Sequence, residues 1–89
     1  MIRVDQGVLD SGWAVSDDGK AIEKSFKFKS FRDAMAWMVR VGFEVEAADH
    51  HPEWFNVYNR VDVKLTTHDT GGLSDKDLSL ARKMDSLRA

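Results

Sequence analysis

The chain has 89 residues, a formal net charge of −2 and no cysteine. One domain spanning residues 1–89 is expected, because so short a chain has no room for a second core. Disulfides and thiolate metal sites are excluded. The absence of a basic cluster gives no electrostatic case for binding nucleic acid or an anionic membrane. Met1 to Asp5 lack the apolar run of a signal peptide, and no segment approaches the length of a membrane span, so we expect a cytoplasmic protein.

The first third of the chain predicts a short amphipathic turn followed by a β-hairpin. Val4, Val8 and Leu9 indicate the turn within Met1–Ser11. Apolar and polar residues then alternate in two runs, 13–16 and 22–28, on either side of Asp17-Asp18-Gly19-Lys20, a segment with turn chemistry. Lys24 interrupts the apolar face of the second run and is expected to snorkel.

The middle of the chain predicts one long helix. Ser30 is a suitable N-cap, and Asp33 three residues later completes a pair that resembles a capping box. An apolar stripe with helical spacing follows at Phe31, Met35, Met38, Gly42 and Val45, flanked by Ala34, Val41 and Ala48. Pro52 disfavours the helical conformation for the residue before it, so the helix should end near Asp49 or His50.

The last third predicts a second hairpin and a closing helix. Residues 54–58 and 61–68 alternate around a turn at Asn59-Arg60, which puts His68 on the polar face at the end of the last strand. Gly71-Gly72 breaks this pattern. Ser74 is the expected N-cap of the closing helix, with Asp77 at its third position, and Leu80, Met84 and Leu87 form its apolar side.

The segment around His50 and His51 predicts an active site. An imidazole has an unperturbed pKa of about 6.5, so it can donate or accept a proton near neutral pH. Glu46 lies one helical turn before His50. A metal site is not expected, because adjacent histidines rarely face one ion. No cysteine or Gly-x-Ser-x-Gly segment offers a nucleophile.

Each candidate also has a plain structural interpretation. Asp77 can be only a helix-capping carboxylate. Trp54 and Tyr58 can be only strand residues that pack against the core. His68 alone can be a surface histidine. The residue types alone are therefore compatible both with an active site and with purely structural roles.

Taken together, these residues closely resemble the pterin-4a-carbinolamine dehydratases, also known as the dimerisation cofactor of a homeodomain transcription factor. The family pattern is matched by Glu46, His50-His51-Pro52, Tyr58, His68 and Asp77. Similar sequence continues through residues 26–31, 49–59, 66–68 and 72–74, and the resemblance covers residue 13 to the C-terminus. The chain departs from the family in its shorter N-terminal segment and in Lys76, where an arginine is common.

The resemblance implies an α+β fold, in the order β-β-α-β-β-α, with a four-stranded antiparallel sheet that carries helices on one face and a shortened N-terminal helix. It also implies a homo-oligomer, commonly a tetramer. The implied reaction dehydrates 4a-hydroxytetrahydropterin to quinonoid dihydropterin in tetrahydrobiopterin recycling, without a metal or redox cofactor.

The resemblance also assigns roles to the site residues. His50 and His68 transfer protons, and His51 positions the pterin and has a possible proton role. Glu46, Asp49 and Asp77 orient the imidazoles, and Trp54 walls the pocket. This requires folding to bring His68 across from the histidine pair. The competing function is a non-catalytic oligomeric module that stabilises the dimer of a transcription factor.

Overall fold

The computed structural model describes residues 3–88, so Met1, Ile2 and Ala89, at the ends of the expected domain, lie outside the described residues. The elements in chain order are α1 (Gln6–Asp10), β1 (Ala14–Val15), β2 (Ile22–Lys27), α2 (Phe31–Ala48), β3 (Glu53–Val57), β4 (Arg60–Leu65), a 3-10 turn (His68–Thr70) and α3 (Asp75–Leu87). The strands form one antiparallel sheet in the order β1-β2-β4-β3. The predicted α+β fold is therefore confirmed.

Both predicted hairpins are present. The first turns through Gly19, whose φ of 74° is in the left-handed region that glycine adopts without cost. The second turns at Tyr58-Asn59, one residue earlier than predicted, and Tyr58 has a φ of 51°. The amide of Asn56 donates to the carbonyl oxygens of Tyr58 and Arg60, at 3.2 and 2.8 Å, and this stabilises the earlier turn.

The hydrophobic core lies between one face of the sheet and the two long helices. Phe26 and Trp37 are both fully buried, and their ring centroids are 4.5 Å apart. The indole Nε1 of Trp37 also donates to the carbonyl oxygen of Met84, at 3.1 Å, which joins α2 to α3. The other buried members include Ile22, Val41, Val45, Val61, Val63, Leu65, Leu73, Leu78, Leu80 and Ala81.

The long helix has the predicted ends and part of the predicted buried face. The Ser30 hydroxyl accepts from the backbone N–H of Asp33, at 3.2 Å, and Asp49 ends the helix in the left-handed conformation. The buried side chains are those of Ala34, Trp37, Val41 and Val45. Phe31 and Met35, which the predicted stripe included, are 44% and 41% exposed. With Val39 and Phe43 they form a second, exposed apolar row, hereafter the exposed α2 stripe.

Lys24 is held at the edge of the core by the N-terminal segment and α3. Its ammonium bonds the Asp85 carboxylate at 2.6 Å, and the indole of Trp13 donates to the same carboxylate at 3.0 Å. The predicted break in the apolar face of β2 is thus accommodated by an ion pair. Among residues 3–88, no helix is both long and apolar enough to cross a membrane.

Candidate active site

The end of α2 positions His50. Asp49 adopts φ 50° and ψ 44°, and its backbone N–H donates back to Glu46, while that of His50 donates to Val45 at 3.3 Å. This left-handed residue turns the chain away from the helix axis, as a helix C-terminus requires before a proline. The result is a His50 side chain that is buried, with its residue only 9% exposed.

Asp77 contacts His50 from the first turn of α3. Its Oδ1 lies 2.6 Å from Nε2 of His50, and Asp77 is fully buried. Its Oδ2 accepts from the hydroxyl of Thr67 at 2.7 Å and from the backbone N–H of Ser74 at 3.0 Å. We call these four residues the Asp77 network. It joins the end of α2, the end of β4 and the start of α3 at one corner of the fold.

The network assigns a proton to His50. Because Thr67 and Ser74 both donate to Asp77, the carboxylate is arranged as an acceptor, and the third contact is completed by an N–H on Nε2 of His50. In the neutral imidazole with this tautomer, Nδ1 carries the lone pair. A carboxylate that fixes the tautomer and orientation of an imidazole is the arrangement expected for a base and its orienting group. Asp77 also caps α3, so the carboxylate serves both purposes.

His68 begins the turn that follows Thr67. Thr67 and Gly72 exchange two backbone hydrogen bonds, of 3.2 and 3.1 Å, and so close the segment Thr67–Gly72 into a small loop, hereafter the His68 turn. His68 is exposed and lines a cavity of about 260 Å³. The sequence predicted His68 at the end of a strand, and β4 ends three residues earlier, at Leu65.

The other candidate residues are less closely connected. Nε2 of His51 lies 4.0 Å from the Glu46 carboxylate, and both side chains are largely exposed, so this pair is weakly held. Asp49 is exposed, and within residues 3–88 its side chain makes no hydrogen bond to an imidazole. Trp54 is half-buried, and its ring centroid lies 6.3 Å from that of Trp37, so it packs against the core.

Two residues of the network were not singled out from the sequence. Thr67 continues the apolar alternation of β4, and Ser74 was assigned only to a helix cap. The available signal was that Thr67 is a polar residue on the face of the strand that the pattern buries. A buried hydroxyl requires a hydrogen-bond partner, and Asp77 provides it.

Two further observations concern the surroundings of the histidines. Within residues 3–88, no group of three or more histidine and carboxylate side chains is arranged to hold a metal ion. A larger cavity, of about 620 Å³, lies on the open side of the sheet between β2, β3 and β4, and none of the three histidines lines it. Neither His50 nor His51 is among the residues that line the cavity beside His68.

Comparison with known proteins agrees with this fold. The family model for pterin 4 alpha carbinolamine dehydratase matches residues 3–87. A relative from Ruegeria pomeroyi is 57% identical over 77 residues, which cover 86% of this chain and 79% of the relative. One from Sinorhizobium medicae is 55% identical over 74 residues, covering 83% and 70%. Both relatives have names that contain the words pterin-4-alpha-carbinolamine dehydratase.

Two solved structures share the architecture. The crystal structure of a transcriptional coactivator/pterin dehydratase from Brucella melitensis matches with a TM-score of 0.88 and 41% identity, over 99% of this chain and all of that one. A pterin dehydratase-like protein described as a RuBisCO assembly factor in the alpha-carboxysome matches with a TM-score of 0.76 and 19% identity, over 88% and 90% of the two chains. The second likeness shows the fold alone. Since the family model spans nearly the whole chain, the chain belongs to the pterin 4 alpha carbinolamine dehydratase family.

Proposed function

We propose that this protein dehydrates 4a-hydroxytetrahydropterin to quinonoid dihydropterin in the cytoplasm, as a step of tetrahydrobiopterin recycling, by histidine acid–base catalysis. The observation that supports it most is the buried Asp77–His50 pair, in which the carboxylate of Asp77 also accepts a hydrogen bond from Thr67, the residue before His68. Family membership supports the reaction, and the contact between Asp77 and His50 supports a proton-transfer role for this imidazole.

The chemistry requires two proton transfers. Hydroxide is a poor leaving group, so an acid must protonate the oxygen on C4a as the C–O bond breaks. A base must remove the hydrogen from N5, so that the N5–C4a double bond forms and water leaves. Each positioned acid or base contributes a factor of about 10²–10⁴ in rate. Two imidazoles from different segments of the chain can perform both transfers without a metal.

The proposed roles follow from the contacts of each histidine. His50 has Nε2 fixed by Asp77, which leaves Nδ1 to exchange a proton. His68 is exposed on a loop closed by hydrogen bonds and provides the second imidazole. His51, the most exposed of the pair, positions the pterin, with Glu46 beside it. Asp49 and Trp54 are proposed as supporting residues, Asp49 for the imidazoles and Trp54 as a wall behind the ring.

The direct test is a dehydration assay on folded variants. We expect His50→Ala and His68→Ala each to slow the loss of the 4a-hydroxypterin, followed by ultraviolet absorbance, by a factor of about 10²–10⁴. Asp69→Ala, an exposed neighbour of His68, is the matched control and should retain the wild-type rate. Wild-type rates in both histidine variants, with native circular dichroism, would refute the assignment.

A second candidate function is an oligomeric interaction module, and one observation favours it. The exposed α2 stripe presents four large apolar side chains on one helix, of which Val39 is 51% and Phe43 71% exposed. Contiguous exposed apolar surface of this kind marks a protein-binding face. The Brucella melitensis relative is described as a transcriptional coactivator as well as a pterin dehydratase. We therefore propose that the stripe joins copies of this chain into a homo-oligomer, commonly a tetramer in the family.

The same variants separate the two functions. A module that only binds partners would keep its association state and its partner when His50 and His68 are replaced. An enzyme would lose dehydration while the association state stays unchanged. Absence of dehydration by the wild-type protein at micromolar concentration would leave the module as the better account.

A further inference from the structure

The cavity beside His68 is bounded by the His68 turn on one side and by the turn between β1 and β2 on the other. The turn between β1 and β2, residues 16–21, faces the His68 turn across the cavity of about 260 Å³. The lining residues whose side chains can carry a charge are Asp18, Lys20, Glu53, Lys64 and His68. Two carboxylates and two ammonium groups therefore surround the cavity, in addition to the imidazole.

The β1–β2 turn is held firmly against the His68 turn. The hydroxyl of Thr66 donates to the carbonyl oxygen of Lys20 at 2.6 Å. A Cβ placed on Gly72 would lie 3.7 Å from Cα, Cβ and Cγ of Lys20, at ordinary van der Waals distance, so the two segments approach each other closely there. Within the turn, Ser16 and Ala21 exchange hydrogen bonds of 2.9 and 3.0 Å. The β1–β2 turn is thus a fixed part of the cavity.

Asp18 has one carboxylate oxygen committed and one available. Its Oδ1 accepts from the Ser16 hydroxyl at 2.7 Å and from the backbone N–H of Lys20 at 2.9 Å. Within residues 3–88 its Oδ2 makes no hydrogen bond. The Lys20 N–H bond, the Ser16 hydroxyl and the charges of Lys20 and Lys64 lower the pKa of Asp18. The carboxylate is therefore an anionic acceptor at neutral pH.

We propose that Asp18 is a substrate-binding residue that accepts hydrogen bonds from the 2-amino and N3–H edge of the pterin ring. This rests on the proposed function, which supplies the pterin, and on the shared cavity, which puts Asp18 and His68 around the same space. Two adjacent N–H donors on a planar ring match a carboxylate acceptor. The neighbouring carbonyl oxygen of the ring matches an ammonium donor, and Lys20 and Lys64 both line the cavity.

The charges of the lining residues also indicate which kind of ligand the cavity suits. The two carboxylates and two ammonium groups cancel, so the cavity suits a neutral ring that carries both donors and acceptors. It has no excess of positive charge to hold a phosphate or a polyglutamate tail. The site is thus matched to an unphosphorylated pterin.

The experiment separates binding from turnover. Asp18→Asn keeps an Oδ1 acceptor for Ser16 and Lys20, so the turn is preserved while the anionic acceptor is lost. Asp17→Asn removes the same charge from the same turn at a residue that does not line the cavity, and it is the matched control. We expect Asp18→Asn to weaken binding of 7,8-dihydropterin roughly tenfold to hundredfold, with a matching rise in KM, and Asp17→Asn to match the wild type.

A second ligand shows which group Asp18 contacts. In 7,8-dihydrolumazine a carbonyl oxygen replaces the 2-amino group, so a donor becomes an acceptor. The wild-type protein should prefer dihydropterin to dihydrolumazine, and Asp18→Asn should largely remove that preference. A turn-building role alone would leave the preference unchanged.

The possible outcomes separate this inference from the proposed function. Dehydration at the wild-type rate by Asp18→Asn, with unchanged ligand preference, overturns the inference and leaves the dehydratase assignment intact. Preferential dihydropterin binding that depends on Asp18, without dehydration by the wild type, supports the inference and refutes the assignment. No binding of dihydropterin by the wild type at millimolar concentration refutes both.

Discussion

Asp77 connects three segments of the chain through a single buried carboxylate. One oxygen contacts His50, and the other accepts from the hydroxyl of Thr67 and from the backbone N–H of Ser74, the N-cap of α3. A buried carboxylate is costly unless its lone pairs are satisfied, and here each oxygen has a partner. The cost of holding an anion inside the fold is thus offset by contacts that also position an imidazole.

At this scale we predict the effect of Asp77→Asn. The amide can satisfy Thr67 and Ser74 with its oxygen only by turning its N–H groups toward His50, which moves the imidazole proton from Nε2 to Nδ1. We expect the free energy of unfolding to fall by about 1–3 kcal/mol and the dehydration rate to fall about 10²-fold or more.

Urea denaturation measures the first effect, and ¹⁵N chemical shifts of the His50 ring report the tautomer. Asp75→Asn, an exposed carboxylate in the first turn of the same helix, removes the same charge and should change neither. An unchanged tautomer in Asp77→Asn would contradict the assigned role.

The sequence pointed to His50 and Asp77 separately, but it could not pair them. They are 27 residues apart, and the chemistry of each had a local explanation, a helix end for one and a helix cap for the other. Thr67 is a polar residue on the face of its strand that the pattern buries, which indicated that its hydroxyl needs a partner but not which residue provides it. A hydrogen-bonded network between distant segments depends on strand order and helix placement, which local periodicity does not contain.

The long helix α2 shows which features the pattern of apolar residues predicts and which it does not. Both ends of α2 were predicted, because Ser30 and the segment before Pro52 act locally. Its buried face was predicted only in part, because the helix carries apolar residues on two sides: Trp37 and Val41 face the core, whereas Met35 and Val39 do not. When a helix has apolar residues on two sides, the pattern alone does not decide which side packs against the core.

Alanine substitutions at two glycines should change the stability of the fold in opposite directions. A Cβ at Gly42 or at Gly19 would meet no atom within 4 Å, so the two sites are matched in space and differ in backbone conformation. Gly42 is in the interior of α2, so we expect Gly42→Ala to raise the free energy of unfolding by about 0.5–1 kcal/mol. Gly19 has a φ of 74°, so Gly19→Ala should lower it by about 1 kcal/mol.

Thermal and urea unfolding of the two variants check both signs. Equal shifts in the same direction would show that the backbone conformation at residue 19 is not what requires glycine there. A lower free energy of unfolding in Gly42→Ala would indicate that another surface packs against α2 at Gly42 and leaves no room for the added methyl group.

The described part of the molecule exposes a row of large apolar side chains that do not belong to the core. Phe31, Met35, Val39 and Phe43 lie along α2, away from the side that packs on the sheet, and residues 3–88 provide no cover for them. A domain of this size buries a modest share of its surface, and association is a common supplement. The strand order β1-β2-β4-β3 leaves β3 at one edge of the sheet, and this arrangement could not be derived from the sequence.

Association through the exposed α2 stripe predicts that a charge in it is disruptive. We expect Val39→Glu to lower the mass measured by sedimentation equilibrium at micromolar concentration, because a carboxylate would be buried without a partner at the interface. Val15→Glu makes the same substitution at a residue of similar exposure outside the stripe, 44% against 51%, and should leave the mass unchanged. An unaltered mass in Val39→Glu would exclude the stripe as the contact.

The double duty of Asp77 has a consequence for judging distant relatives. A descendant that had abandoned chemistry altogether would still need this aspartate to begin its last helix, so finding one there is poor evidence of an enzyme. His68 is different, because it is solvent-facing and its side chain makes no hydrogen bond or ion pair within residues 3–88. In a relative of unknown activity, the residue at that position is the more informative one to inspect.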